Sequence, residues 1–315
     1  MKTRKNLIFL ILLALLTAGC EEVMEFDIDE GSRAVVVNAL PCADSTLFVN
    51  ITYSRFFLDN TPFQPVVGAD VSMDINGTMY SYSSYADGNY FFGQTLNGGD
   101  TLTMHVNIAG REEITGGTRV PYLPNMLNFK AELDTLQPIT AGELSFTLVD
   151  DASQRNYYYI YISERDSGCR WNHWKEKWDT IDTIRHSYFS CLDLDISSPE
   201  VNSSEGLFGY FSSLLFTDSL INGQHHEMLI SLMIPHDTAE HPIQRDYTLV
   251  VQSLSPEAYR YRLEVAKAGS IEQYFAEPSP IYSNIKGALG ILGGISQRVI
   301  PLVFTYKDPR REEDK

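Results

Sequence analysis

The chain has 315 residues and 43% hydrophobic content, enough for substantial cores, and its length suggests two domains. Its 24 basic and 41 acidic residues give a formal net charge of −17, which argues against a nucleic-acid partner because affinity for phosphate backbones depends on Lys and Arg. Eighteen Tyr and sixteen Phe favour strands.

Lys2, Arg4 and Lys5 precede an apolar run from Leu7 to Leu16, the order of a secretory signal. The run is about ten residues, roughly 15 Å as a helix, whereas spanning a bilayer takes about twenty apolar residues. It reads as a removable signal over residues 1–19. Thr17-Ala18-Gly19-Cys20 resembles the lipobox of bacterial lipoproteins, in which small residues admit the signal peptidase and the Cys20 thiol is diacylated; Leu is commoner where Thr17 stands. Each buried CH₂ of an acyl chain contributes about 0.8 kcal/mol, and more than one chain makes anchoring stable. The mature protein is therefore expected to stay on a membrane surface through a lipid anchor. Loss of residues 1–19 removes three cations and no anions, leaving a net charge of about −20. Glu21 and Glu22 resemble the acidic export signal of surface lipoproteins in Bacteroidota, which implies the cell surface, and residues 20–30 form an acidic linker.

Beyond the linker, Ala34-Val35-Val36-Val37 and Leu47 to Tyr53 predict short strands. Val71, Met73 and Ile75 alternate with polar residues, Asn76-Gly77 predicts a hairpin turn, and Met79-Tyr80 begins the return strand. Asp87-Gly88 and Asn97-Gly98-Gly99 supply further turns, the latter followed by alternation through Leu102, Met104, Val106 and Ile108. Turn signals without a helical period predict an antiparallel sandwich of immunoglobulin or transthyretin type over residues 31–121. Pro121-Tyr122-Leu123-Pro124 marks a boundary.

A second β-rich domain is expected over 122–306, with strands at Leu144 to Val149, Tyr157 to Ser163, Glu227 to Ile234 and Tyr247 to Ser253. "YYYIYIS" carries aromatics on both faces, so that strand is expected to be covered on both sides. Ser255, Pro256 and Glu257 predict one short helix running to about Ala268. "ALGILGGISQRVIPLVF" reads as a glycine-bent strand pair, and 307–315 as a charged tail. The fold class expected is all-β, two β-sandwich-like domains with one helix in the second.

Cys42, Cys169 and Cys191 remain after Cys20, and an odd number cannot all pair within one chain. Cys169 and Cys191 bracket one local excursion and form the candidate disulfide, worth about 3 kcal/mol in the chain-entropy model. Cys42 is then a buried thiol. All three tryptophans, Trp171, Trp174 and Trp178, lie within "CRWNHWKEKW"; their spacing places them on one face of a short helix. Two readings stand side by side: a stripe packed onto the sandwich as core, or an exposed cluster that anchors a partner, stacks on sugars or sits at a membrane interface.

"HDTAEH" gathers His236, Asp237, Glu240 and His241, but the spacing fits no well-defined zinc pattern, so a solvated loop is expected and no metal. His225 and His226 point to opposite sides if extended. "SNIK", Ser283 to Lys286, has Ser-x-x-Lys spacing without the partner motifs of penicillin-recognising enzymes, and "GALGILGG" lacks the ending of a phosphate loop. Asp-Ser or Asp-Thr followed by an apolar residue or Thr resembles the Bacteroidota O-glycosylation motif at Ser45, Thr101, Thr135, Thr180, Thr183, Ser219 and Thr238, although Asp-Thr also favours turn-to-strand junctions.

Four segments in order, "LVDDASQRNYYYIYI", "LLFTDSLINGQ", "VVQSLSPEAYRYR" and "FAEPSPIYSNIKGALGILGG", resemble the Bacteroidota lipoprotein family catalogued as domain of unknown function 4249. The resemblance covers nearly the whole chain. It implies an outer-membrane lipoprotein, often encoded beside a TonB-dependent transporter, and supplies no catalytic residues. The segment 169–204 departs from the family's tighter connection. The function expected is a non-enzymatic accessory or ligand-capture subunit without a cofactor, with a TonB-dependent transporter and a glycan or peptide ligand as partners. The alternative is an adhesin or glycan-binding module using the tryptophans; an unrecognised enzyme stands behind both.

Overall fold

The computed structural model describes residues 33–56, 59–134, 140–172, 174–191, 193, 196, 211–234, 243–268 and 281–306. Cys20, Thr135, Thr238 and the 236–241 loop lie outside them. The first half of the chain forms β1 (Val35–Ala39), β2 (Thr46–Tyr53), β3 (Asp70–Ile75), β4 (Thr78–Ser81), β5 (Ser84–Ala86), β6 (Asn89–Thr95), β7 (Thr101–Asn107) and β8 (Ile114–Arg119). The second half forms β9 (Asn125–Asp134), β10 (Thr140–Val149), β11 (Tyr157–Asn172), β12 (Lys177–Ser187), β13 (Phe189–Cys191), β14 (Leu214–Thr217), β15 (His225–Ile234) and β16 (Gln244–Leu254). The helix α1 (Pro256–Ala268) follows, then β17 (Leu289–Leu292), β18 (Ile295–Pro301) and β19 (Thr305–Tyr306). The fold is all-β and sandwich-like, with α1 as the one α-helix among the described residues.

Two sheets, ordered β17-β1-β2-β6-β5 and β4-β3-β7-β8, share the first core. Period-two alternation sends Val71 and Met73 of β3 and Leu102, Met104 and Val106 of β7 inward against Val37, Val49 and Ile51. Asn76 and Gly77 both have positive φ, 53° and 85°, the conformation a two-residue hairpin requires. The second core lies between sheets ordered β13-β15-β10-β9-β19 and β12-β11-β16-β18, and contains Leu144, Phe146, Ile160, Ile162, Met228, Ile230, Leu249 and Val251.

Both faces of β11 are covered at its start. Tyr158, Ile160 and Ile162 enter the second core, while Tyr157 and Tyr159 face α1, where Tyr157 meets Tyr259 at 4.8 Å and the Arg262 guanidinium lies 4.2 Å over Tyr159. Ser255 caps the helix, its hydroxyl accepting from the Ala258 N–H at 3.2 Å.

The glycine-bent "ALGILGGIS" segment differs from expectation. Its two strands form but do not pair with each other. β17 runs parallel to β1 in the first sandwich, and β18 runs antiparallel to β16 in the second. Ile285 and Leu292 accordingly belong to the first core, so residues 31–121 do not complete that sandwich alone. The crossing is held by backbone: Gly293 donates to Ala39 O (3.0 Å), Ile295 to Pro41 O (2.8 Å), Ala43 to Ile295 O (2.9 Å) and Ser255 to Gly294 O (2.9 Å). The Gly294 N–H also faces the hydroxyls of Thr118 (3.2 Å) and Ser255 (3.1 Å).

A Cβ at residue 294 would lie 2.3 Å from Arg119 O, whereas one at Gly93 would meet nothing within 4 Å. Gly294→Ala is expected to destabilise the fold by about 3 kcal/mol, since a backbone clash cannot be relieved by a rotamer change. Gly93→Ala serves as the neutral control; denaturant unfolding of the two variants measures the contrast.

Candidate functional site

The expected tryptophan helix is a β-hairpin. β11 pairs with β16 as far as Ser167, but its ladder with β12 continues to Asn172 opposite Lys177, so the last residues of β11 form a two-stranded arm among the described residues. A four-residue loop between Asn172 and Lys177 sets Trp171 directly opposite Trp178. Their rings lie 5.5 Å apart at 66°, edge to face. Spacings of three and seven, which suit a helix face, thus place the first and last tryptophans across a hairpin and the middle one at its apex.

The tryptophans are not core. Trp171 is 38% exposed, Trp178 46% and Trp174 98%. The loop itself is well specified: Asn172 Oδ1 accepts from the N–H groups of Trp174 and Lys175, both at 3.1 Å, and Asn172 Nδ2 donates to Asp179 Oδ2 at 2.7 Å. The Asn172 donor, aided by Lys175 and Lys177, holds the Asp179 carboxyl below the ordinary carboxylate range. Lower on the arm, Arg165 grips Asp182 with two parallel bonds of 2.8 and 2.9 Å.

The anticipated Cys169–Cys191 bridge is absent, and Cys42, Cys169 and Cys191 are free thiols. Cys169 sits exposed on the arm opposite Thr180, whereas Cys191 lies in β13, buried in the second core and opposite Ile230. The two belong to different sheets, which a count of intervening residues does not reveal. Cys42 is only partly buried.

The other sequence candidates take structural positions. Ser45, Thr101, Thr180, Thr183 and Ser219 are all exposed. Their neighbouring aspartates bind locally: Asp44 has φ 60° in a turn, and Asp100 accepts from Asn76 Nδ2 and the Asn97 N–H. Ser283 accepts from the Ile285 N–H at 3.3 Å, and the Lys286 backbone exchanges bonds with Thr115. His226 pairs with Asp193, while His225 is exposed. No group of three His, Cys, Asp or Glu stands ready to hold a metal ion among the described residues.

A feature the sequence did not announce is a cleft of about 290 Å³ where the two sandwiches meet α1, lined among others by Arg119, Tyr122, Arg155, Tyr157 and Glu257. Arg119 Nε donates to Gly99 O at 3.2 Å and its guanidinium lies 5.6 Å from the Tyr122 ring centroid; Arg155 lies 5.8 Å from that of Tyr157. Thr118 donates to Glu257 Oε2 at 3.0 Å. Guanidinium groups beside aromatic faces suit a small carboxylate-bearing or aromatic ligand. The segment carrying Arg155 is pinned by buried acids: Asp150 accepts from Tyr158 Oη (2.7 Å), Asn156 Nδ2 (3.1 Å) and the Gly223 N–H (2.9 Å), and Asp218 accepts from the Asn156 N–H (2.7 Å).

The protein is all-β and sandwich-like, with an exposed tryptophan arm and a cleft beside α1. A family model described as Domain of unknown function (DUF4249) matches residues 21–300, and the chain belongs to that family. Among curated proteins, none matches it.

Burial, reinforced by the Asp150 carboxylate and opposed by the Asn156 N–H, raises the Asp218 carboxyl above its ordinary value. A raised folded-state value means that the contribution of Asp218 to stability is complete below its unfolded value of about 3.9 and is lost as pH rises through the folded value. Asp218→Asn keeps an acceptor for Asn156 and removes this titration. The variant is expected to gain stability relative to the parent between about pH 4 and pH 7; urea unfolding across that range measures the difference, and parallel curves would refute it.

Proposed function

We propose that this protein is a lipid-anchored, non-enzymatic accessory subunit at the cell surface, capturing ligand beside a TonB-dependent transporter of the outer membrane. The observation that carries the reading is the exposed tryptophan arm: a preformed apolar tip, held by Asn172 and Asp179, is contact equipment and not a catalytic apparatus. The cleft bearing Arg119 and Arg155 offers the place for a small ligand. The lipobox ending at Cys20 supports the tether, and the acidic composition suits a body kept in solution above an anionic membrane. No helix among the described residues is long and apolar enough to cross a membrane, so attachment in this reading is assigned to acyl chains on Cys20.

The test is extraction of tagged protein from outer membranes in mild detergent after metabolic labelling with palmitate. Co-elution with a large barrel protein and a palmitate label that vanishes in Cys20→Ser are expected. A strictly monomeric extract overturns the accessory role, and an unlabelled chain overturns the tether.

A further inference from the structure

We infer that the tip of the β11–β12 arm is a membrane wedge, seated in an anionic lipid headgroup layer. The inference deepens the reading above and draws on it only for a bilayer within reach.

Placement comes first. The chain has three tryptophans, and all of them stand at the last turn of the arm, with Trp174 almost wholly in water. Trp prefers the boundary between hydrocarbon and water because its large apolar ring carries one N–H that stays hydrated. Shape follows. The Trp171 and Trp178 planes meet at 66°, so they make neither a flat platform nor a parallel sandwich for a sugar ring. The apex is convex, and a fluid headgroup layer admits a convex wedge without a matching socket, which a protein partner has to supply.

Charge gives the third argument. Residues 170–179 carry three cations, Arg170, Lys175 and Lys177, against Glu176 and Asp179, a net of +1 on a chain whose total is −17. Lys175 and Lys177 are more than half exposed and only loosely held by Asp179, at 3.5 and 3.6 Å. An anionic surface repels the body and accepts this tip, an orienting effect confined to about a Debye length of 8–10 Å. The fixed Asn172 turn lowers the ordering cost of insertion.

Because every tryptophan lies in the arm, tryptophan emission excited at the red edge of its band, where the eighteen tyrosines absorb little, reports the tip. The full lipidated protein is reconstituted in phosphatidylglycerol-containing vesicles with brominated or unbrominated acyl chains. Blue-shifted emission and quenching by brominated lipid are expected, both weaker in purely zwitterionic vesicles and at high salt. Emission and aqueous-quencher access unchanged by the bilayer would overturn the inference. Quenching or burial that arises only when a co-eluting barrel protein is added overturns it too, while leaving the accessory role in place. The Cys20→Ser chain separates the wedge from the tether. Its binding to the same vesicles is expected to fall about tenfold with Trp174→Ser and to be unaffected by Val67→Ser, a control on the first sandwich that is 74% exposed. Equal binding by all three chains refutes the wedge even if palmitate labelling succeeds.

Discussion

The structure depends on one crossing of the backbone. Between Leu289 and Pro301 the chain leaves the first sandwich and joins the second, and at the crossing it lies against the backbone of neighbouring segments with no room for side chains. Gly290 has φ 120°, and a Cβ there would lie 1.9 Å from Val37 O; one at Gly294 would lie 2.3 Å from Arg119 O. Hydrogen bonds from this stretch reach Ala39, Pro41, Thr118 and Ser255, and within β18 Ser296 donates to Pro121 O and Arg298 to Pro124 O. The Pro121–Pro124 linker is therefore clamped, and the end of the chain determines how its beginning closes. The cleft with Arg119 and Arg155 exists because this clamp brings β8, the 154–157 segment and the N-terminus of α1 together.

The course of β11 explains how an exposed arm grows from a buried strand. On its inward face Tyr158, Ile160 and Ile162 are core, but the next inward positions are Glu164 and Asp166, both buried. Arg185 of β12 meets them at 2.7 and 3.1 Å, and Arg245 of β16 at 3.8 and 3.5 Å. Two carboxylates out of water cost several kcal/mol each unless paired, and two guanidinium groups supply the pairing. Burial, together with the Glu164 charge, also pushes the neighbouring Tyr247 hydroxyl up to about 12, so it stays neutral across the physiological range. The ionic layer ends the apolar core without ending the strand. Beyond Ser167 β11 pairs only with β12 among the described residues, and Cys169 and Trp171 are exposed.

Legibility in the sequence followed the range of the interaction. The β3–β4 hairpin, the alternation of β7 and the Ser255 cap were readable because neighbouring residues decide them. β9 escaped because Asn128 has φ 55° and the ladder to β10 shifts register there, breaking the period-two signal between Met126 and Ala131. The end of β11 was underestimated because charged residues at inward positions look like the end of a strand. The tryptophans were legible as a cluster but not in conformation, since three-and-seven spacing suits both a helix face and a four-residue hairpin loop; Asn172 was the turn signal, unsupported by an adjacent Gly. The cysteine pairing and the return of β17 to β1 depend on which sheet a segment joins, which no local pattern encodes.

An asymmetry in rigidity ties these features to function. Were the tryptophans on a loose loop, ordering them at each encounter would cost about 0.5–1.5 kcal/mol per rotamer-rich side chain before any contact formed. Here the arm continues a strand anchored in the second core, its turn is fixed by Asn172 and Asp179, and Arg165 and Asp182 brace it from the side. A rigid arm also transmits orientation: with its tip held, β11 and the ionic layer fix the second sandwich, and the crossing at Gly293-Gly294 fixes the first. Under the proposed tether and wedge, a body held by acyl chains and by the arm together would have the facing of its cleft set as well as its distance from the membrane. That is what a ligand-capture subunit requires if it hands its ligand to a neighbour in the same bilayer, since a tether of acyl chains alone holds position but leaves rotation free.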